Sequence, residues 1–153
     1  MTLPNLATET RAEVTHDWSP ARIYLVVSGI VLVVLGVAGL VLNRSFPTSP
    51  AAVDSAGSAW LFGVIQTNGW HSVAGLISGG VALGFAARAE WARLGATVKG
   101  LFYVGVTASL FITSPGTFLL VANAGDQVVH ASLAIGGIAT ALATRTAATR
   151  RAR

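Results

Sequence analysis

The stretch Ile-Tyr-Leu-Val-Val-Ser-Gly-Ile-Val-Leu-Val-Val-Leu-Gly-Val-Ala-Gly-Leu-Val-Leu, residues 23–42, contains no charged side chain. A helix needs about 20 such residues to cross the hydrocarbon core of a bilayer. Three further apolar stretches follow at 69–87, 96–113 and 127–143. Together they predict an all-α fold: an integral membrane four-helix bundle. Residues 1–20 are expected to form a cytosolic tail, 21–145 the four-helix domain, and 146–153 a basic cytosolic tail.

Composition agrees. Hydrophobic residues make up 53% of the 153 residues and charged residues 10%, against about 25% charged in soluble domains. Four spans use nearly the whole chain and leave no room for a soluble catalytic domain. The net charge is +4, but the basic residues flank the apolar stretches and form no aromatic-interleaved patch. That argues against nucleic acid and for the anionic surface of a lipid bilayer as partner. The absence of Cys excludes disulfides, thiolate metal sites and cysteine nucleophiles. A cleaved signal peptide is not expected, because its apolar core runs about 7–15 residues behind a basic start. Here a longer run follows a mixed tail with Glu9, Arg11, Glu13 and Asp17.

Ser19 before Pro20 marks the start of the first helix. Trp60-Leu61-Phe62-Gly63-Val64-Ile65 is too short to span and is expected at the interface, with Trp60 as anchor. Glu90-Trp91-Ala92-Arg93 read as a tight turn, Ser114-Pro115-Gly116 as the stop of the third helix, and Arg145 as the end of the fourth. Arg11, Arg22, Arg88, Arg93, Lys99, Arg145, Arg150, Arg151 and Arg153 fall on one side if Lys99 snorkels, and Arg44 alone on the other. The positive-inside rule then places both termini in the cytoplasm of a bacterial plasma membrane.

The halves of the chain resemble each other. Ala21-Arg22, Val27 and Gly29 match Ala92-Arg93, Val98 and Gly100 at an offset of 71, and Gly79-Gly80 with Arg88 match Gly136-Gly137 with Arg145 at 57. Two tandem helical hairpins, a parallel internal repeat, are the expected arrangement. Gly75/Gly79 and Gly80/Gly84 form G-x-x-x-G pairs, which serve close helix packing or a homo-oligomer seam.

Leu61-Phe62-Gly63, Asn68 and His71 precede the second helix, and Asn123, Asp126 and His130 the fourth. In this pattern, L-F-G-x4-N-x-x-H and N-x-x-D-x-x-x-H, the chain resembles DUF4383, a domain of unknown function found in small actinobacterial four-helix membrane proteins. The resemblance covers roughly 20–145 and implies that fold without an activity. Members commonly carry a second His one turn after the first, where this chain has Gly75.

Physically, Asn68 and Asn123 suit N-caps, with His71 and Asp126 at the capping-box position. His130 is harder to explain structurally, since an ionisable group inside a bundle is costly. Asp126 lies one turn before it on the same face. If the second and fourth helices meet, His71, Asp126 and His130 converge, with Gly75 leaving space. Such a cluster could be a structural clasp, a proton or ion site, or a haem or metal site with His71 and His130 as ligands. Two His without further donors speak against the metal, so no metal and no cofactor are expected. No nucleophile constellation, nucleotide loop or paired carboxylates stand out, so no enzyme is expected. The favoured function is an accessory, scaffold or envelope-associated partner of a larger membrane assembly, with a homo-oligomer or such a complex as the expected protein partners. The alternative is a small proton, ion or solute transporter using the His/Asp cluster.

Overall fold

The structure, a computed structural model, describes residues 18–49, 51–52, 59–112 and 123–151, with the backbone alone at 110 and 145–151. Four helices account for most of them: α1 (Pro20–Leu42), α2 (Gly69–Ala86), α3 (Ala89–Ile112) and α4 (Ala124–Arg151). A two-stranded antiparallel ribbon, β1 (Ala59–Leu61) and β2 (Ile65–Thr67), precedes α2. The tails at 1–17 and 152–153 and the expected stop at Ser114-Pro115-Gly116 lie outside the described residues.

Each helix begins where a polar side chain satisfies its free backbone N–H groups or where charge favours it. Ser19 Oγ accepts from the Arg22 N–H at 3.3 Å, with Pro20 at the first helical position. Asn68 and Asn123 cap α2 and α4. Glu90 places negative charge in the first turn of α3. The last case corrects an expectation: residues 90–93 are not a turn. Only Ala87 and Arg88 separate α2 from α3, because Ala, Glu, Arg and Leu favour helix and nothing breaks it. Likewise α4 continues past Arg145 to Arg151, since no Gly or Pro follows to stop it.

The patch at 60–65 has regular structure that the sequence reading did not assign. It folds into the ribbon, whose turn has both central residues at positive φ, Phe62 at 53° and Gly63 at 71°. The Val64 N–H closes the turn on the Leu61 carbonyl at 3.1 Å. Leu61 is buried, while Trp60, Phe62 and Val64 are exposed. Leu61-Phe62-Gly63 therefore lies at the ribbon's turn, ahead of the second helix.

The helices run alternately, so the α1 N-terminus, the α2–α3 link and the α4 C-terminus share one end, here the basic end. The ribbon lies at the opposite end. α1 packs most closely on α2, and α3 on α4. A Cβ on Gly29 would meet Leu83 and the Gly79 carbonyl, and one on Gly100 would meet Ile138 and the Ala134 carbonyl. Gly137 lies against Gly100 and Ala96, and Gly136 against the Tyr24 ring. Gly75 faces Leu32 and Gly36 of α1, a packing position turned away from the His71–Asp126–His130 cluster, while a Cβ on Gly80 or Gly84 would meet nothing within 4 Å among the described residues.

The interior is divided along its length. Toward the basic end, Ala21, Leu25, Ala82, Ala86, Ala92, Ala96 and Ala141 form a dry small-residue plug. Toward the ribbon, Leu32, Tyr103, Leu133 and Ala134 form a second cluster that admits polar groups. The outer faces are apolar and exposed, with Val27, Val34 and Val41 on α1, Ile77 and Val81 on α2, Leu101 and Phe102 on α3, and Ile135 and Leu142 on α4. Among the described residues, two helices are long and apolar enough to cross a membrane, Pro20–Leu42 and Ala124–Thr144.

Candidate functional site

The caps position the polar side chains at the ribbon end. Asn68, buried at the start of α2, accepts the His71 N–H on its Oδ1 at 2.9 Å. This fixes His71 in the first turn. At the start of α4 the bonding is reciprocal: Asn123 Oδ1 accepts from the Asp126 N–H at 3.0 Å, and Asp126 Oδ2 accepts from the Asn123 N–H at 3.1 Å. This is a capping box with Asp in the returning position. Asn123 also donates its Nδ2 to the Val64 carbonyl at 2.7 Å, tying the ribbon across the end of the bundle.

Asp126 is almost wholly buried, and its second carboxylate oxygen is not consumed by the cap. Oδ1 lies 3.6 Å from His71 Nε2, an ion-pair distance longer than a direct hydrogen bond. One turn deeper, the His130 ring is 6.0 Å from that of His71 and 5.4 Å from that of Tyr103, tilted 30° to each. His130 Nδ1 is buried and has no hydrogen-bond partner among the described residues. The Tyr103 and Ser78 hydroxyls lie 2.9 Å apart.

The structure therefore brings His71, Asp126 and His130 together, with Asn68 and Asn123 as the caps that orient them. Capping accounts for Asn68, Asn123 and one oxygen of Asp126. It leaves both imidazoles and the other oxygen unexplained. The glycines singled out from sequence take no part in the cluster.

One further group belongs here that the sequence reading turned the wrong way. Lys99 does not snorkel. It is buried and donates from Nζ to Ser28 Oγ at 2.9 Å, with the Tyr24 and Tyr103 rings 5.7 and 6.0 Å from the ammonium. Ala92, Ala96, Lys99 and Tyr103 are all buried, at the spacing of one helix face. That stripe could have revealed the inward lysine. Its neighbours are small or aromatic, leaving room for the stem, and Ser28 supplies an acceptor.

Asp126, His71, His130, Tyr103 and Lys99 thus form a file descending from the ribbon end to the edge of the alanine plug. Tyr24 completes its wall by donating its hydroxyl to the Leu133 carbonyl at 2.6 Å. Among the described residues, no three His, Cys, Asp or Glu side chains converge as a metal-ligand set.

Residues 18–143 match DUF4383, a domain of unknown function. The chain belongs to the DUF4383 family. The match contains all four helix starts and every residue of the file. No curated protein and no solved structure matches the chain.

Proposed function

We propose that this DUF4383 protein is a non-enzymatic, multi-pass protein of the bacterial plasma membrane that carries protons, alone or coupled to a small solute. In this reading all four helices span. The exposed apolar faces meet lipid, and the excess of Arg at the basic end puts both termini in the cytoplasm. Two helices pass the test of length and apolarity by themselves. α2 and α3 carry Ser72 and Lys99, which lower their hydropathy but are buried, and His71, which turns toward Asp126.

The observation carrying the transport reading is the file Asp126–His71–His130–Tyr103–Lys99 inside an otherwise apolar bundle. Ionisable side chains within membrane segments are expensive, and they mark proton relays and substrate paths. In this reading protons enter the file at the ribbon end, where Asp126 and His71 lie, and the plug of Ala21, Leu25, Ala82, Ala86, Ala92, Ala96 and Ala141 stands at its other end. The plug is the inner gate, and small residues let the packed helices slide past one another there.

The test is flux. Purified protein in liposomes containing a pH-sensitive dye should dissipate an imposed pH gradient, and His130→Ala should abolish this while leaving helix content unchanged. A wild-type flux equal to that of empty liposomes refutes the reading, and so does an undiminished flux in the variant.

The two hairpins are further proposed to be a tandem repeat, with a register that differs from the glycine match. Gly29 packs on Leu83 and the Gly79 carbonyl as Gly100 packs on Ile138 and the Ala134 carbonyl. That sets the offset between α2 and α4 at 55 residues, the same offset that relates Asn68 to Asn123.

The accessory reading keeps one specific support. Gly80 and Gly84 open a small-residue face beside exposed Ile77 and Val81, and small-xxx-small faces seat other helices in membranes. A second copy of the chain or a subunit of a larger assembly would fit there. Disulfide cross-linking of Gly84→Cys in native membranes checks it; absence of any cross-linked species ends it.

A further inference from the structure

A groove of about 720 Å³ runs along the outside of the bundle between α1 and α4. Its walls are apolar, with Ile23, Val27 and Val31 on one side and Val128 and Leu133 on the other. It opens toward the surrounding medium, and its volume lies within the usual range for small-molecule sites. Two of its polar residues, Tyr24 and Ser28, are the same two that touch Lys99 from α1.

Lys99 gives this groove a chemical preference. Its ammonium is buried, and Ser28 Oγ takes one of its three N–H donors. No carboxylate among the described residues lies within 4.0 Å of Nζ. A buried cation without a counter-ion costs several kcal/mol, and an anion delivered beside it offsets that cost. Lys99 is not itself a lining residue of the groove; Ser28, which is, joins the two through its 2.9 Å bond to Nζ.

We propose that the groove is a binding site for a single-chain fatty carboxylate, its head at Ser28 and Lys99 and its chain between α1 and α4. The groove is a single channel, which argues for one chain over the two of a phospholipid. Lys99 stands three residues into the apolar stretch that begins at 96, about 5 Å from its cytosolic edge at 1.5 Å per residue, a depth to which a lone carboxylate head can be drawn. The inference does not depend on proton movement.

The experiment compares cis-parinaric acid with its methyl ester, binding each to the full-length protein in nonionic micelles and reading probe fluorescence. The acid should bind about tenfold more tightly than the ester, the size of effect expected when an ion pair is lost from a buried site. Lys99→Met should remove that preference and leave ester binding unchanged; Lys99→Arg should retain it. Should Lys99→Met fail to fold, Ser28→Ala should weaken the acid severalfold and spare the ester. Equal binding of acid and ester overturns the proposal. So does undiminished preference in Lys99→Met (or in Ser28→Ala, where that variant stands in), no binding at all, or competition by dodecyl phosphate matching that of laurate.

Discussion

Gly79 and Gly80 are neighbours on α2 and should respond oppositely to the same substitution. A Cβ on Gly79 would lie 2.7 Å from the Gly29 carbonyl oxygen, 2.8 Å from Val33 Cγ2 and 2.9 Å from the Val33 nitrogen. Two of these atoms are backbone, so relief requires α1 to retreat. Ordinary contact begins at 3.4 Å, which makes the retreat 3.4 − 2.7 = 0.7 Å. A gap of that order forfeits about a quarter to a half of each contact's dispersion energy, and overpacking of this kind costs about 1–3 kcal/mol. A Cβ on Gly80 meets nothing within 4 Å. Both changes share the helix-propensity gain of about 1 kcal/mol for Gly→Ala. That gain cancels in the comparison, so Gly79→Ala should be less stable than Gly80→Ala by the packing cost, about 1–3 kcal/mol. Unfolding by sodium dodecyl sulfate in mixed micelles, followed by far-UV circular dichroism, measures the difference. Equal transitions, or a larger loss in Gly80→Ala, would refute the packing argument and place the Gly80 face in a contact made within the folded protein.

Two further substitutions test the ribbon end. Asn123→Ala removes the α4 cap and the tie to Val64 together, and should cost about 1–2 kcal/mol in the same unfolding assay. It should also raise hydrogen exchange at the ribbon amides 64–67. Exchanging His71 and Asp126 (His71→Asp with Asp126→His) should recover most of the stability lost in either single variant. A double variant no better than the sum of the singles counts against the pairing.

Four helices and their caps were legible because long apolar runs and the Ser19, Asn68 and Asn123 signals are local. The His71–Asp126–His130 convergence was legible as a condition, that the second and fourth helices meet, which their side chains do. The ribbon was not legible, since strands of three residues carry no measurable period and Trp-Leu-Phe-Gly-Val-Ile reads equally as an interfacial patch. Lys99 was misread because snorkelling is judged from depth along one helix, whereas its fate was decided by Ser28 on another. Which G-x-x-x-G pair packs inside the bundle was not legible for a related reason. A G-x-x-x-G spacing specifies a smooth face, and only the rotation of α2 about its own axis decides which of two such faces α1 occupies.

The tandem-hairpin reading explains why the polar groups meet where they do. Under that proposal α1 and α3 correspond at an offset of 71 residues, and α2 and α4 at 55. On that correspondence Ser28 is the counterpart of Lys99, and His71 the counterpart of Asp126. Both pairs are in direct contact, at 2.9 and 3.6 Å. A position can touch its own counterpart only near the axis relating two halves, as in a twofold interface. In a true dimer of identical hairpins these sites would hold Lys against Lys and Asp against Asp, or His against His, and the charged pairs would repel when buried. Joining the hairpins in one chain frees each counterpart to differ, so a cation can face a hydroxyl and a carboxylate can face an imidazole. Gly75 and His130 are related in the same way. On the proposed repeat only one half carries the deeper imidazole, so the two halves hold one file between them. The His71/Asp126 exchange examines this reasoning, because counterparts across an axis have interchangeable backbone settings. If the exchange restores stability but not proton flux, the pair stabilises the bundle through its symmetry while the flux depends on which half carries the imidazole beside His130.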